Sequence, residues 1–245
     1  MEILKIENAR KNFGGVKAVD GLSFSVQEGE ILGIIGPNGA GKSTVFNLLC
    51  GLIPVDAGRI VFLGEDITLL APHKRCHMGI GRTFQICQPF KELTVLGNVA
   101  VAAVFGHSKP VHPGKVKKYS EEVLAKVNLS SKKDLYPAQL TTPDLKLLEI
   151  ARALATRPRL LLLDEMMAGL LPGECDKILD LIKGINREGI TVILVEHVMR
   201  VVRELCQRVI VMNYGQKLCE GCYEDVTGDE RVIEAYLGQE ETVAQ

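Results

Sequence analysis

Short runs rich in leucine and β-branched residues alternate along the chain with stretches in which apolar residues recur every three or four positions. The first kind predicts strands over Ile3–Glu7, Leu22–Gln27, Ile31–Ile35, Arg59–Leu63, Leu160–Leu163, Thr191–Val195, Val209–Met212 and Gln216–Cys219. The second predicts helices over Lys42–Cys50, Val95–Val104, Val116–Val127, Asp144–Ala155, Glu174–Asn186, Val198–Cys206 and Glu230–Tyr236. Strand and helix in alternation is the pattern of an α/β protein, a largely parallel sheet with crossover helices. The alternation lapses between about Gln85 and Leu140, where helical patterns follow one another. Residues 85–140 are therefore expected to form a helical insertion in an α/β core made of residues 1–84 and 141–245. Within the insertion, the Gly, Pro, Ser and His residues of 106–114 predict a loop.

Composition narrows the class further. At roughly 150 residues per domain, 245 residues allow one domain with an insertion or two small domains. Lys+Arg total 29 and Asp+Glu total 30, for a net charge of -1, so there is no bulk positive field for nucleic acid and no such partner is expected. A hydrophobic fraction of 47% excludes disorder as the main state. The longest apolar candidate, Val95 to Phe105, is too short to cross a bilayer and contains Asn98. Glu2, Lys5 and Glu7 interrupt the start, where a signal peptide would carry an apolar run. Seven scattered cysteines suit a reducing compartment, and a cytoplasmic location is expected.

Candidate chemistry begins at Gly36-Pro37-Asn38-Gly39-Ala40-Gly41-Lys42-Ser43-Thr44, between an apolar strand and an amphipathic helix. This is the G-x-x-x-x-G-K-[ST] pattern in the context it requires. Glycines let backbone N–H groups wrap phosphates, and the helix start adds a field that favours negative charge. Lys42 is expected to reach the terminal phosphates and Ser43 to ligate Mg²⁺. A second element, Leu160 to Leu163 followed by Asp164 and Glu165, is a buried strand ending in two carboxylates. Asp164 is expected to hold Mg²⁺ through a water and Glu165 to polarise the attacking water. A third, Thr191 to Val195 followed by Glu196 and His197, offers His197 as a γ-phosphate contact.

These pieces together resemble the ATP-binding subunit of ABC transporters, and more narrowly the larger-type ATPase subunit of branched-chain amino-acid importers. The narrow likeness rests on Asn12 to Val19, Gly81-Arg82-Thr83-Phe84-Gln85, Glu92 to Leu96, Leu148 to Leu154 and Glu234 to Gly238. It implies a P-loop NTPase core with a small antiparallel β layer and a helical subdomain insertion. It implies ATP and Mg²⁺ as cofactors, Phe13 stacked on adenine, Gln85 sensing Mg²⁺ and the γ-phosphate, and His197 as a switch. The implied partners are a companion ATPase subunit or a second copy, two integral membrane permease subunits and, through them, a substrate-binding protein. The implied location is peripheral, on the inner face of the cell membrane. The groove for a permease's coupling helix is expected around Gln85 to Val99.

Departures from the family pattern carry as much weight. Where the family has a segment close to LSGGQ, which reaches the nucleotide on the partner's cradle, this chain has Leu140-Thr141-Thr142-Pro143-Asp144. Thr141 keeps a hydroxyl, Pro143 lacks the N–H and the positive φ of a glycine, and Asp144 adds a negative charge. The helix itself is expected intact, with Thr142 as cap and proline in the first turn. The contact to the partner's nucleotide is expected to be impaired, which favours a heterodimer and slow hydrolysis by the isolated chain. Met166 and Met167 are expected to fill an irregular interface, and Leu171 stands where the family carries a polar residue. Cys219/Cys222 and His73/His77 are each too few to complete a metal site. The alternatives are an ATP-binding dimerisation module with little turnover, an ABC system for another substrate, a soluble ABC protein of repair or translation, and a small-molecule P-loop kinase.

Overall fold

The computed structural model describes residues 1–109 and 111–240; Pro110, in the predicted loop 106–114, lies outside the described residues. The strands are β1 (Glu2–Phe13), β2 (Val16–Gln27), β3 (Ile31–Ile35), β4 (Ala57–Phe62), β5 (Glu65–Asp66), β6 (Ile80–Arg82), β7 (Leu160–Asp164), β8 (Thr191–Val195), β9 (Arg208–Asn213) and β10 (Gln216–Gly221). The helices are α1 (Lys42–Cys50), α2 (Pro72–Met78), α3 (Val95–Phe105), α4 (Val116–Lys126), α5 (Thr142–Ala155), α6 (Pro172–Arg187), α7 (Met199–Leu205), α8 (Tyr223–Thr227) and α9 (Glu230–Glu240). The chain divides into two compact units, one of residues 1–72 with 191–245 and one of residues 73–190.

The first unit holds an antiparallel layer in the order β2-β1-β4-β5 and, separately, strands in the order β10-β9-β3-β8. In the latter, β3 runs parallel to both β8 and β9, and β10 closes antiparallel on β9. All five residues of β3 and of β8 are buried, which is why each reads as an unbroken apolar run. Strands β1 and β2 extend well beyond their predicted lengths. The cause is a register shift between Ile6 and Ala9, where Asn8 takes φ 46 and donates its N–H to Ser23 Oγ at 2.8 Å. A bulge resets the two-residue alternation, so the pattern stops while the strand continues. Arg208 ties this unit's strands through Glu30 at 2.8 Å, the Ser25 carbonyl at 2.6 Å and Glu220.

In the second unit β6 lies parallel to β7, with Ile80 opposite Leu160 and Arg82 opposite Leu162. At three residues, with Gly81 and Arg82 among them, β6 is too short to show a period, and the sequence pattern does not reveal it. Helix α3 packs against α4 and α5. Its one strongly polar interior residue, Asn98, is fully buried and folds the preceding turn onto itself. It accepts the Phe90 N–H at 2.8 Å and donates to the carbonyls of Phe90, Leu93 and Thr94 at 3.0–3.1 Å. Helix α6 buries Cys175, Ile178, Leu179, Ile182 and Ile185 along one stripe. No helix among the described residues is long and apolar enough to cross a membrane.

Candidate functional site

The glycine-rich loop leaves the end of β3 and enters α1. Lys42 is 6% exposed and donates from Nζ to the carbonyls of Gly36 at 2.6 Å and Pro37 at 2.9 Å, so the loop curls round its own lysine. Gly36 (φ 147) and Gly41 (φ 100) have backbone conformations that a side chain resists; a Cβ would overlap the Met212 carbonyl at the first and the Ala18 carbonyl at the second. Helix α1 starts from Gly41 with no side-chain cap and no acidic residue in its first turn. Such an end keeps its N–H groups and positive field available to an anion. Asn38, Gly39, Ser43 and Thr44 lie along the same turn, with Ser43 exposed, while Ala40 is buried. At the end of β1, Phe13 is half exposed, and Lys11 Nζ stands 5.6 Å from its ring centroid. His197 is exposed just past β8, after the buried Glu196.

The second unit presents the two carboxylates at the end of β7. Glu165 takes φ 48, and its Oε2 accepts from Gln85 Nε2 at 2.7 Å. This brings together two of the residues expected at the site. Lys146 of α5, 7% exposed, donates to the carbonyls of both Gln85 (3.4 Å) and Glu165 (3.3 Å). Glu149, one turn on, accepts the Phe84 N–H at 3.2 Å; burial pushes its carboxyl up, against that bond. Cys87 lies two residues past Gln85, and burial, then Glu149, push its thiol up to about 12, so it stays protonated. Asp164 is buried: its N–H reaches Thr83 Oγ1 at 3.2 Å and its Oδ2 accepts from Arg82 at 2.8 Å. Its Oδ1 is buried with no hydrogen-bond partner among the described residues. An orphaned carboxylate oxygen suits a hydrated cation, so this residue fits a role at Mg²⁺.

The start of α5 corrects one expectation. The cap is Thr141, not Thr142: its Oγ1 accepts the Asp144 N–H at 3.4 Å, while its N–H and hydroxyl donate to Asp144 Oδ2 at 3.1 and 2.7 Å. This is a capping box, and it puts proline at the second helical residue, where no N–H is missed. Asp144 is also bound by Lys132 Nζ at 2.7 and 2.6 Å. Burial raises its carboxyl, but the bonds from Lys132 and Thr141 outweigh this and hold it below its usual value. The added charge is thus turned to a lysine rather than left bare.

The methionine pair also differs from expectation: Met166 and Met167 are 1% and 2% exposed, buried within the chain itself. Leu171 is 68% exposed; its N–H donates to Glu174 at 2.8 Å and its carbonyl accepts the N–H groups of Glu174 and Cys175 at 2.9 and 3.0 Å. His77 bonds the Phe105 carbonyl at 3.0 Å, and Cys222 Sγ caps α8 by accepting the Asp225 N–H. Arg82, Lys132 and Lys146 were not singled out from the sequence. Their partners lie far along the chain or on a turn without pattern, and no spacing signals them.

A P-loop delivered by a parallel strand, with a strand-end carboxylate pair, defines the class: a nucleotide-binding ATPase. Residues 19–168 match the family model described as ABC transporter, and residues 216–242 match one described as branched-chain amino acid ATP-binding cassette transporter. The chain is 38% identical to the probable branched-chain amino acid transport ATP-binding protein LivG of Methanocaldococcus jannaschii, covering 98% of each. It is 36% identical to the lipopolysaccharide export system ATP-binding protein LptB of Haemophilus influenzae, over 98% of this chain and 99% of that one. A solved nucleotide-free ATP-binding cassette from an ABC transporter is 37% identical, with TM-score 0.89 over 96% of this chain and 99% of that one. This chain belongs to the ABC transporter family, as an ATP-binding, ATP-hydrolysing cassette.

Proposed function

We propose that this cassette drives an importer for branched-chain or other hydrophobic amino acids. The observation that carries the reading is the match of residues 216–242 to the branched-chain amino acid cassette model. The likeness to LivG, and to BraF of Pseudomonas aeruginosa at 37% identity, supports it. A second reading, the ATPase of an exporter, is favoured by the likeness to LptB over nearly the whole chain. Uptake of labelled leucine, isoleucine and valine by cells whose only copy carries Glu165→Gln tests the two. Lost uptake is expected; normal uptake with a defective outer surface would favour export.

In this reading the loop from Gly36 to Gly41 and Lys42 bind the phosphates of ATP, Ser43 and Thr44 close the cradle, and Phe13 stacks on adenine. Ser43, Gln85 and Asp164 hold Mg²⁺ and its waters; the ion supplies charge neutralisation at the phosphate oxygens. Glu165 accepts the proton of the attacking water, and His197 contacts the γ-phosphate. Gln85 donates to Glu165 through Nε2 at 2.7 Å, which leaves its amide oxygen as the atom that can face the ion. Residues 85–140 form the helical subdomain that receives a permease's coupling helix. Phe84, Ile86 and Phe90, all exposed, supply apolar surface for it. The cassette pairs with a companion ATPase at the inner membrane face, below two permease subunits served by a substrate-binding protein. Thr141 faces the companion's nucleotide, weakly, because Pro143 has no N–H to donate.

A further inference from the structure

Asp164 owes its backbone position and its side-chain direction to different residues. Its main chain is fixed by the Thr83 hydroxyl at 3.2 Å and by the ladder in which the Thr83 N–H meets the Leu162 carbonyl at 2.9 Å. Among the described residues its carboxylate is turned by Arg82 alone, whose NH2 donates to Oδ2 at 2.8 Å, with side-chain exposures of 9% and 4%. The guanidinium has the Phe84 ring against it, 5.1 Å from its centre. A planar cation held against a ring and a carboxylate has little freedom, and a lysine would not reproduce that geometry. The result is a carboxylate with one oxygen committed and the other, Oδ1, buried without a hydrogen-bond partner among the described residues. A link between β6 and β7 does not by itself require this pair, since the strands already pair through their backbones.

We propose that Arg82 is a positioning residue that turns Asp164 so that Oδ1, and not Oδ2, is presented to the hydration shell of Mg²⁺. The proposal rests on the reading that Asp164 serves that ion. In this role Arg82 takes up one carboxylate oxygen and leaves the other with a fixed direction. Partners behind a metal-site residue commonly govern affinity about 10–100-fold.

The test uses the full chain with ADP bound and Mn²⁺ as the probe, its free concentration read by paramagnetic resonance. Affinity for a fluorescent ATP analogue in EDTA is measured in parallel. Arg82→Gln should weaken Mn²⁺ binding about tenfold and leave metal-free nucleotide binding unchanged, a split that general loosening of the fold would not give. Arg82→Lys should recover only part of the loss and stay about threefold weaker than the parent. Asp164→Asn serves as the reference: if it too leaves Mn²⁺ affinity unchanged, the reading of Asp164 fails rather than the role of Arg82. Parent-like Mn²⁺ affinity in Arg82→Gln, with Asp164→Asn impaired, overturns the proposal. Should Arg82→Gln not fold, parent-like affinity in Arg82→Lys does the same, because that variant keeps the charge and loses only the planar geometry.

Discussion

Replacing Thr142, Pro143 and Asp144 by Gly, Gly and Gln should speed ATP hydrolysis by the isolated chain while lowering its stability. The two effects have separate origins. In the proposed dimer a glycine at 143 restores a backbone N–H toward the partner's nucleotide, and one such donor is worth up to about 3–4 kcal/mol in a transition state. A rise of at least tenfold in turnover is therefore expected, well inside that limit. The stability loss comes from the two glycines in the first helical turn and from Lys132, which binds both oxygens of Asp144 and has no ion pair with a glutamine. Lys132 is 38% exposed, so solvent screens the pair and the loss is about 1–3 kcal/mol, the glycines included. For a chain of this length that lowers the melting temperature by roughly 2–12 °C. Steady-state phosphate release, with dimerisation followed by sedimentation in ATP, reads the first effect, and a thermal melt reads the second. Asp144→Gln alone is the control: it should lose the Lys132 part of the stability without gaining the rate, since Pro143 still offers no donor. Fast turnover by the unmodified chain, or a triple variant no faster than Asp144→Gln, would refute the reasoning.

Three further outcomes follow from the same geometry. Glu165→Gln should bind ATP yet lose turnover by about 10²-fold or more; an equally active variant removes Glu165 as the base. Lys42→Ala should lose ATP affinity, since its ammonium organises the loop through the Gly36 and Pro37 carbonyls; equilibrium binding of a fluorescent ATP analogue checks this, and parent-like affinity counts against the cradle. For Asp144 the carboxyl is held below its usual value of 3.8, so its contribution to stability is complete above that pH and is lost as pH falls through the depressed value. The stability difference between the parent and Asp144→Asn, from urea denaturation, should therefore stay constant from pH 7 to about 5 and shrink below it.

How much of this was legible in the sequence varies with the range of the forces involved. The phosphate loop was readable because its demands are local: an apolar strand before it, two glycines that carbonyls crowd, a lysine that closes on its own loop. The central strands were readable because burial on both faces leaves no polar position to blur them. Legibility fails where a residue answers to something distant. The bulge at Asn8 depends on Ser23, fifteen residues on, and it hides half of a strand. Met166 and Met167 look like interface filler from their neighbours and are interior side chains of the chain itself.

The signature segment shows the same division within five residues. Pro143 and an early acidic residue announced a helix start, and a helix starts there. Which threonine caps it was not announced, because Thr141 and Thr142 are chemically equal and only the reach to Asp144 separates them. A cap at Thr141 lets its hydroxyl and N–H both meet Asp144, three residues on; a cap at Thr142 would aim at Leu145, which has nothing to return. Lys132 then removes the objection that the sequence raised to Asp144, the negative charge beside a phosphate. What survives of that objection is Pro143 alone, a missing donor rather than a repelling charge. The proposed defect in this segment is therefore one of omission, and a glycine at 143 is the change that addresses it.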